Sequence, residues 1–377
     1  MRYMLLIGTL VFFGLMLSCG KPTPINPRAL AQENACVQSL QIEDYEGAKI
    51  RCELCLEYDE SVAACMNGMG IVAYAKGNTG SAISWFTKAI KQSKNFAQAR
   101  NNLGAIYFKQ NNFSDAIPYF KAALDIDPGY EDARYNLGLS YLRIGQKASI
   151  QKDLPVATQN YTHARKEFLK LIAVNPAYVN GYRDLGLVKT YEAALQKNEQ
   201  SRQADLKEAT TYFENCLQVD PGNETCHESY GQTLLYEKQY DAALQQFIEC
   251  LASNKKNAVC IAGTDSAYQG SQFKSQSLKS YVDQLKKNPN DAAGHYGYCS
   301  ILFQNGMTDL AVSECQKAVQ LNNKICPAYY QLGMHFKKVL NANEALSNCQ
   351  SFALCAGPKD PEQSRQCNRV ITALSGS

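Results

Sequence analysis

Asn102-Leu103-Gly104-Ala105-Ile106-Tyr107 returns 34 residues later as Asn136-Leu137-Gly138-Leu139-Ser140-Tyr141. Self-similarity at a fixed spacing of this size marks a stacked array, in which each unit buries its apolar face only against its neighbours. Between the two copies lie Ala116, Phe120, Ala123 and Pro128. Gly104 and Ala116 are small enough for two antiparallel helices to approach closely, and Tyr107 and Phe120 fill the space between them. Pro128 ends the second helix, because its ring clashes with the preceding turn and it donates no hydrogen bond. The pattern predicts an all-α chain.

The unit 97–130 resembles the tetratricopeptide repeat at every signature position after the first aromatic. That resemblance implies a right-handed superhelical solenoid of helix-turn-helix repeats. The register propagates in both directions. Residues 63–96 place Met69, Gly70, Ala82, Phe86 and Ala89 correctly, and residues 29–62 place Ala48 with cysteines in three other signature slots. Residues 131–178 end in Ala164, Phe168, Leu171 and Pro176 but carry 14 extra residues, and 179–223 carry Leu185, Gly186, Ala209, Phe213, Cys216 and Pro221 with 11 extra. Both insertions are rich in Gln, Lys, Ala and Glu, which predicts two lengthened helical hairpins. The spacing then returns to 34 through 224–257, a degenerate 258–291, 292–325 and 326–359. About nine repeats result, and 360–377 is expected to be a capping helix, since a terminal repeat otherwise exposes its apolar face.

The N-terminus reads as a targeting segment. Met1-Arg2 is followed by an almost unbroken apolar run from Met4 to Leu17, then Ser18-Cys19-Gly20. The run is short for a membrane-spanning helix. It resembles the bacterial lipoprotein signal, which implies cleavage of 1–18, lipidation of Cys19 and a short linker over 19–28. Gly20 is not the Asp of an inner-membrane retention signal. The expected location is therefore the cell envelope, lipid-anchored on the periplasmic face of the outer membrane.

In repeat coordinates the other fourteen cysteines fall into pairs. Cys36 and Cys52 sit at positions 8 and 24 of the first repeat, and Cys299 and Cys315 at positions 8 and 24 of the eighth, facing each other across a hairpin. Cys55 and Cys65, Cys216 and Cys226, and Cys250 and Cys260 each join position 27 of one repeat to position 3 of the next. The same antiparallel arithmetic pairs Cys326 with Cys355 and sets Cys349 against Cys367. Seven disulfides in an oxidising compartment are the expected use of an even set of thiols; the alternative is that small apolar cysteines merely replace Ala and Gly in a helical core.

Catalytic readings are weak. Cys52-Glu53-Leu54-Cys55 has the spacing of thiol-disulfide oxidoreductases, but no βαβ context surrounds it and each cysteine has another partner in the register. His163, His227, His295 and His335 are dispersed, so no metal or haem site is expected, and no hydrolase elbow or phosphate loop occurs. The sequence implies no enzyme, no cofactor and no small-molecule substrate. A net charge of +3 with Lys and Arg spread throughout gives no nucleic-acid stripe.

The resemblance to tetratricopeptide repeats implies a groove lined by the first helices, suited to an extended peptide or a partner helix. Its positions fall here on Asn67, Tyr74, Asn101, Asn102, Phe108, Tyr135, Asn136, Arg143, Arg183 and Tyr191. Asn67 and Asn101, and Asn102 and Asn136, are each 34 apart, so carboxamides are expected to form a ladder available to a peptide backbone. Asp132 and Ala105 stand where a clamp for a C-terminal carboxylate needs Lys and Asn. A lipidated chain built of such repeats also resembles the pilotin group (the PilF, PilW and Tgl proteins), which implies a protein-interaction scaffold assisting assembly of the type IV pilus secretin. An adaptor for peptidoglycan enzymes or for outer-membrane protein assembly is the alternative.

Overall fold

The computed structural model describes residues 26–271, 276–356 and 361–375 of the 377-residue chain. Cys19 and the leader lie outside the described residues. Those residues form nineteen α-helices and no strand. They divide into two compact units at Leu206 and Lys207. The first contains α1 (Pro27–Gln41), α2 (Tyr45–Tyr58), α3 (Ala63–Ala75), α4 (Thr79–Gln92), α5 (Ala97–Lys109), α6 (Phe113–Ile126), α7 (Glu131–Ile150), α8 (Leu154–Val174) and α9 (Val179–Leu195). The division falls within α10 (Glu199–Val219). The second contains α11 (Glu224–Tyr236), α12 (Tyr240–Ser253), α13 (Ala258–Gly270), α14 (Gln276–Lys287), α15 (Ala292–Gln304), α16 (Thr308–Leu321), α17 (Cys326–Lys338), α18 (Ala342–Ala356) and α19 (Pro361–Ser375).

Within each unit, helices pack as consecutive pairs such as α5 on α6 or α15 on α16, and each pair packs on the next. Short polar residues start many of the helices. Asp44, Asn78 and Asp153 accept the backbone N–H three residues on, and Asn223, Asn257 and Asp291 cap helices of the second unit through an N–H two or three residues on. Inside the hairpins one residue adopts the left-handed conformation: Glu43, Gly77, Asn111 and Lys152 in the first unit, Lys238, Gly306 and Leu340 in the second. Only Gly77 and Gly306 suit it without steric cost.

The inter-helix contact follows the repeat signature. A Cβ built on Gly70 would lie 2.5 Å from the Phe86 ring, on Gly104 2.8 Å from Phe120, and on Gly138 2.5 Å from Phe168. Gly231 stands in the same relation to Phe247. These rings are fully buried, so the missing side chain is what lets each ring lie flat on the facing helix. The first insertion repeats this motif one heptad further along: Gly145 lies under Tyr161, and α7 and α8 run to 20 and 21 residues where α5 and α6 have 13 and 14.

The disulfides occupy those same slots. Cys36–Cys52 and Cys299–Cys315 take the places of glycine and ring, with Cα atoms 5.3 Å apart in both. Cys55–Cys65, Cys216–Cys226 and Cys250–Cys260 span 6.4, 6.3 and 6.3 Å between the second helix of one pair and the first of the next. Buried alanines, Ala89 and Ala99 or Ala123 and Ala133, fill the corresponding slots where no bridge occurs. Cys326–Cys355 and Cys349–Cys367 fasten α17 to α18 and α18 to α19, at 5.4 and 5.0 Å. All seven separations suit a disulfide.

A second recurring device ties each pair to the turn before it. The fourth residue of the unit reaches the backbone carbonyl six residues back: Arg100 to Lys94, Arg134 to Pro128, His227 to Pro221 and His295 to Pro289. Three of them also meet the following helix, Arg134 at Glu167, His227 at Gln246 and His295 at Glu314.

Candidate binding face

The residues expected to line a groove lie on α3, α5, α7 and α9, the first helices of consecutive pairs in the first unit, and each of these helices touches the next. The carboxamide ladder exists, but its rungs join the asparagines to one another. Asn102 Nδ2 donates to Asn67 Oδ1 at 3.0 Å, and Asn136 Nδ2 donates to Asn101 Oδ1 at 3.1 Å. The rungs run from position 5 of one unit to position 6 of the next, 35 residues apart, not along the 34-residue equivalences of the sequence. Asn101 and Asn102 are buried, so these amides chiefly set the spacing of α3, α5 and α7. Part of the hydrogen-bonding capacity expected for a ligand is thus spent inside the protein.

The aromatic positions are half-buried, one on each of the four first helices. Tyr74 packs beside Phe86, Leu103 and Ile106. Phe108 meets Phe113 edge-on at 5.1 Å. Tyr135 lies between Phe168, at 5.9 Å, and Tyr178, at 5.4 Å, while Tyr191 stacks on buried Tyr161 at 5.7 Å. Each ring keeps part of its surface toward solvent, the arrangement of an anchor already immobilised before a ligand arrives.

The two arginines are held. Arg143 donates to Gln146 Oε1 at 2.9 Å. Arg183 is forked onto Asp184, at 2.8 and 3.0 Å, and also donates to Asn180 and to the Tyr135 hydroxyl, at 2.8 Å. Burial pushes the Tyr135 hydroxyl well above the ordinary phenol range, so it stays neutral and accepts this bond. Nearby, burial and the charge of Glu131 push the Asp132 carboxyl up to about 6.

Cys52 and Cys55 each bond elsewhere, to Cys36 and to Cys65, so the Cys-x-x-Cys segment does not hold its own bridge. Among the described residues no group of three His, Cys, Asp or Glu side chains is placed to hold a metal ion, and no helix is long and apolar enough to cross a membrane. The position-four latch was missed in the sequence, although Arg100, Arg134, His227 and His295 recur at one register position with a carbonyl six residues earlier. That spacing was the available signal.

Geometry and comparison agree on the class. The tetratricopeptide repeat family model matches residues 97–130, and a second model of that repeat matches 70–111. The chain therefore carries tetratricopeptide repeats and has the all-α fold of proteins built from them. No curated protein matches the sequence. Among solved structures, PilW, described as a widely conserved type IV pilus biogenesis factor, is 16% identical over 63% of this chain and 98% of its own, with a TM-score of 0.51. PilF of Pseudomonas aeruginosa is 18% identical over 62% of this chain and 96% of its own, with a TM-score of 0.47. A thermophilic tetratricopeptide protein of Thermus thermophilus is 19% identical over 55% and 98%, with a TM-score of 0.43. Similarity at these identities is similarity of fold.

Proposed function

We propose that this chain is a lipid-anchored adaptor in the bacterial periplasm that holds an extended segment or helix of a partner protein against the face formed by α3, α5, α7 and α9, in the service of type IV pilus secretin assembly. The observation that carries the reading is the set of half-buried rings, Tyr74, Phe108, Tyr135 and Tyr191, on consecutive first helices joined by the Asn67–Asn102 and Asn101–Asn136 bonds between α3, α5 and α7 and by the Arg183–Tyr135 bond between α9 and α7. Rigid aromatics on a preorganised surface bind at low entropic cost. Seven disulfides support an oxidising compartment. The lipoprotein-like segment ending at Cys19 supports the anchor, and the fold shared with PilW motivates the choice of partner system. Chemistry on a substrate is not part of this role; the repeats offer a surface, as tetratricopeptide arrays generally do.

The test is genetic and biochemical. Deleting the gene should abolish heat-resistant secretin multimers while other envelope proteins persist, and a Cys19→Ala variant should leave the membrane fraction. Unchanged multimers would remove the pilus assignment, and membrane retention of Cys19→Ala would remove the anchor.

A further inference from the structure

Twelve of the fourteen paired cysteines are at most 2% exposed, so an attacking sulfur reaches them only if helices separate. Cys326 and Cys355 are half-buried, and both line one cleft of about 910 Å³ at the end of the second unit. Pro327, Tyr329, Phe352 and Leu354 give that cleft apolar walls. Leu354, next in the chain to Cys355, is 89% exposed, an aliphatic side chain left in water beside a reachable disulfide. The bridge is also not what keeps its neighbourhood together. Tyr330 packs on Phe352 at 5.6 Å and donates to Gln366 Oε1 at 2.6 Å, and the buried Cys349–Cys367 bridge fastens α18 to α19. Cys326–Cys355 can therefore open while α17, α18 and α19 stay packed.

The two sulfurs are not equivalent. Each lies near a backbone carbonyl, Cys326 Sγ 3.4 Å from that of Lys324 and Cys355 Sγ 3.5 Å from that of Asn323, so those contacts do not separate them. Their places on the helices do: Cys326 is the first residue of α17, and Cys355 lies in the last turn of α18. The positive end of a helix stabilises a thiolate, and the negative end disfavours one. Cys326 is thus the better leaving group, and a nucleophile gains most by attacking Cys355, beside Leu354. We propose that Cys326–Cys355 is a thiol-disulfide exchange site for a protein dithiol, whose reactive segment docks in this cleft against Leu354. The attacking thiolate bonds Cys355 Sγ, and the Cys355–Cys326 bond breaks with its electron pair passing to Cys326 as thiolate. The partner's second thiol then attacks its own sulfur in the mixed disulfide, and its proton passes to the departing Cys355. The partner leaves oxidised to a disulfide, and this chain is left with two reduced cysteines. A small thiol can do the same first step, but it has no use for the apolar wall. The site is independent of the peptide-binding face on the first unit.

The experiment uses the full oxidised chain and thioredoxin whose second active-site cysteine is replaced by serine, so that the mixed disulfide persists. After acid quenching and alkylation, peptide mass analysis should find one thioredoxin adduct, on Cys355, with the alkyl group on Cys326. Leu354→Ser changes an exposed side chain and no packing, and it should slow adduct formation about tenfold while leaving the rate with glutathione unchanged. Replacing Cys326 and Cys355 together by Ala should abolish the adduct. An adduct on Cys326 or on any of the twelve buried cysteines, or no adduct, overturns the exchange site. Equal thioredoxin rates in the parent and Leu354→Ser, or the same slowing with glutathione, overturn docking in the cleft.

Discussion

Gly104 shows how little latitude a single position has in this array. A Cβ there would lie 2.8 Å from the Phe120 ring, which is fully buried and cannot swing away. Gly104→Ala is expected to cost about 1–3 kcal/mol by overpacking. Gly80→Ala, in open space near the start of α4, should instead stabilise by about 0.5–1 kcal/mol. Urea melts of the two variants check both signs at once. His295 and Glu314 offer a second residue-scale prediction. They meet at 2.6 Å in full burial, and His295 Nε2 must donate to the Pro289 carbonyl, so one further proton is shared between Nδ1 and the carboxyl. Burial alone disfavours the His295 charge, but the bond to Glu314 and its negative charge outweigh it and raise the histidine above 6.5; burial also raises Glu314 above 4.5. Both shifts have the same sign: their stabilisation is present at low pH and is lost as pH rises through the folded values. Thermal unfolding should therefore show a decline from pH 6 to pH 9 that His295→Gln flattens, at a cost of about 2–4 kcal/mol at pH 6. A pH dependence identical in parent and variant would refute the shared proton.

At the scale of elements, the hairpin turns and the bridges differ in how far they could be read. Helix pairs follow from spacing, since period 34 repeats small and large residues at one register on which the fourteen cysteines also fall. The lengthened hairpins follow from the helix-favouring composition of the two insertions, and the terminal helix from the apolar face a last repeat would expose. The ladder rungs could not be read so directly. Equivalent residues are 34 apart, but the helices are offset, and Asn67 reaches Asn102 instead of Asn101. The turn residues were silent for another reason: Glu43, Asn111, Lys152, Lys238 and Leu340 adopt a conformation that glycine would signal, and none is glycine. Leu340, with φ 61° and 89% exposure, is the most mismatched of these. Leu340→Gly should raise stability by up to about 1 kcal/mol despite the flexibility glycine adds, and a differential melt decides it. Bridges differ by exposure. Twelve of the paired cysteines are at most 2% exposed, whereas Cys326 and Cys355 are half-buried. Mild reductant followed by alkylation and peptide mass analysis should label Cys326 and Cys355 first; labelling of Cys52 or Cys55 before them would contradict that order.

For the molecule as a whole, the distribution of bridges within the first unit matters most. Cys36–Cys52 and Cys55–Cys65 fasten α1, α2 and α3 together, and α4 to α9 carry no disulfide. That unbridged stretch holds three of the four half-buried rings, Phe108, Tyr135 and Tyr191, and the Asn101–Asn136 bond, while the Asn67–Asn102 bond ties it to α3. Packing of glycine against phenylalanine and tyrosine, supplemented by the asparagine bonds, maintains its spacing without covalent help. The proposed role requires that this face, and not the second helices behind it, meet the partner. Photo-crosslinking from single sites in living cells addresses it. A photoreactive phenylalanine analogue at Phe108, on α5, should give one partner adduct, while the same analogue at exposed Lys166, on α8, should give none. Adducts from Lys166 with none from Phe108 would contradict it.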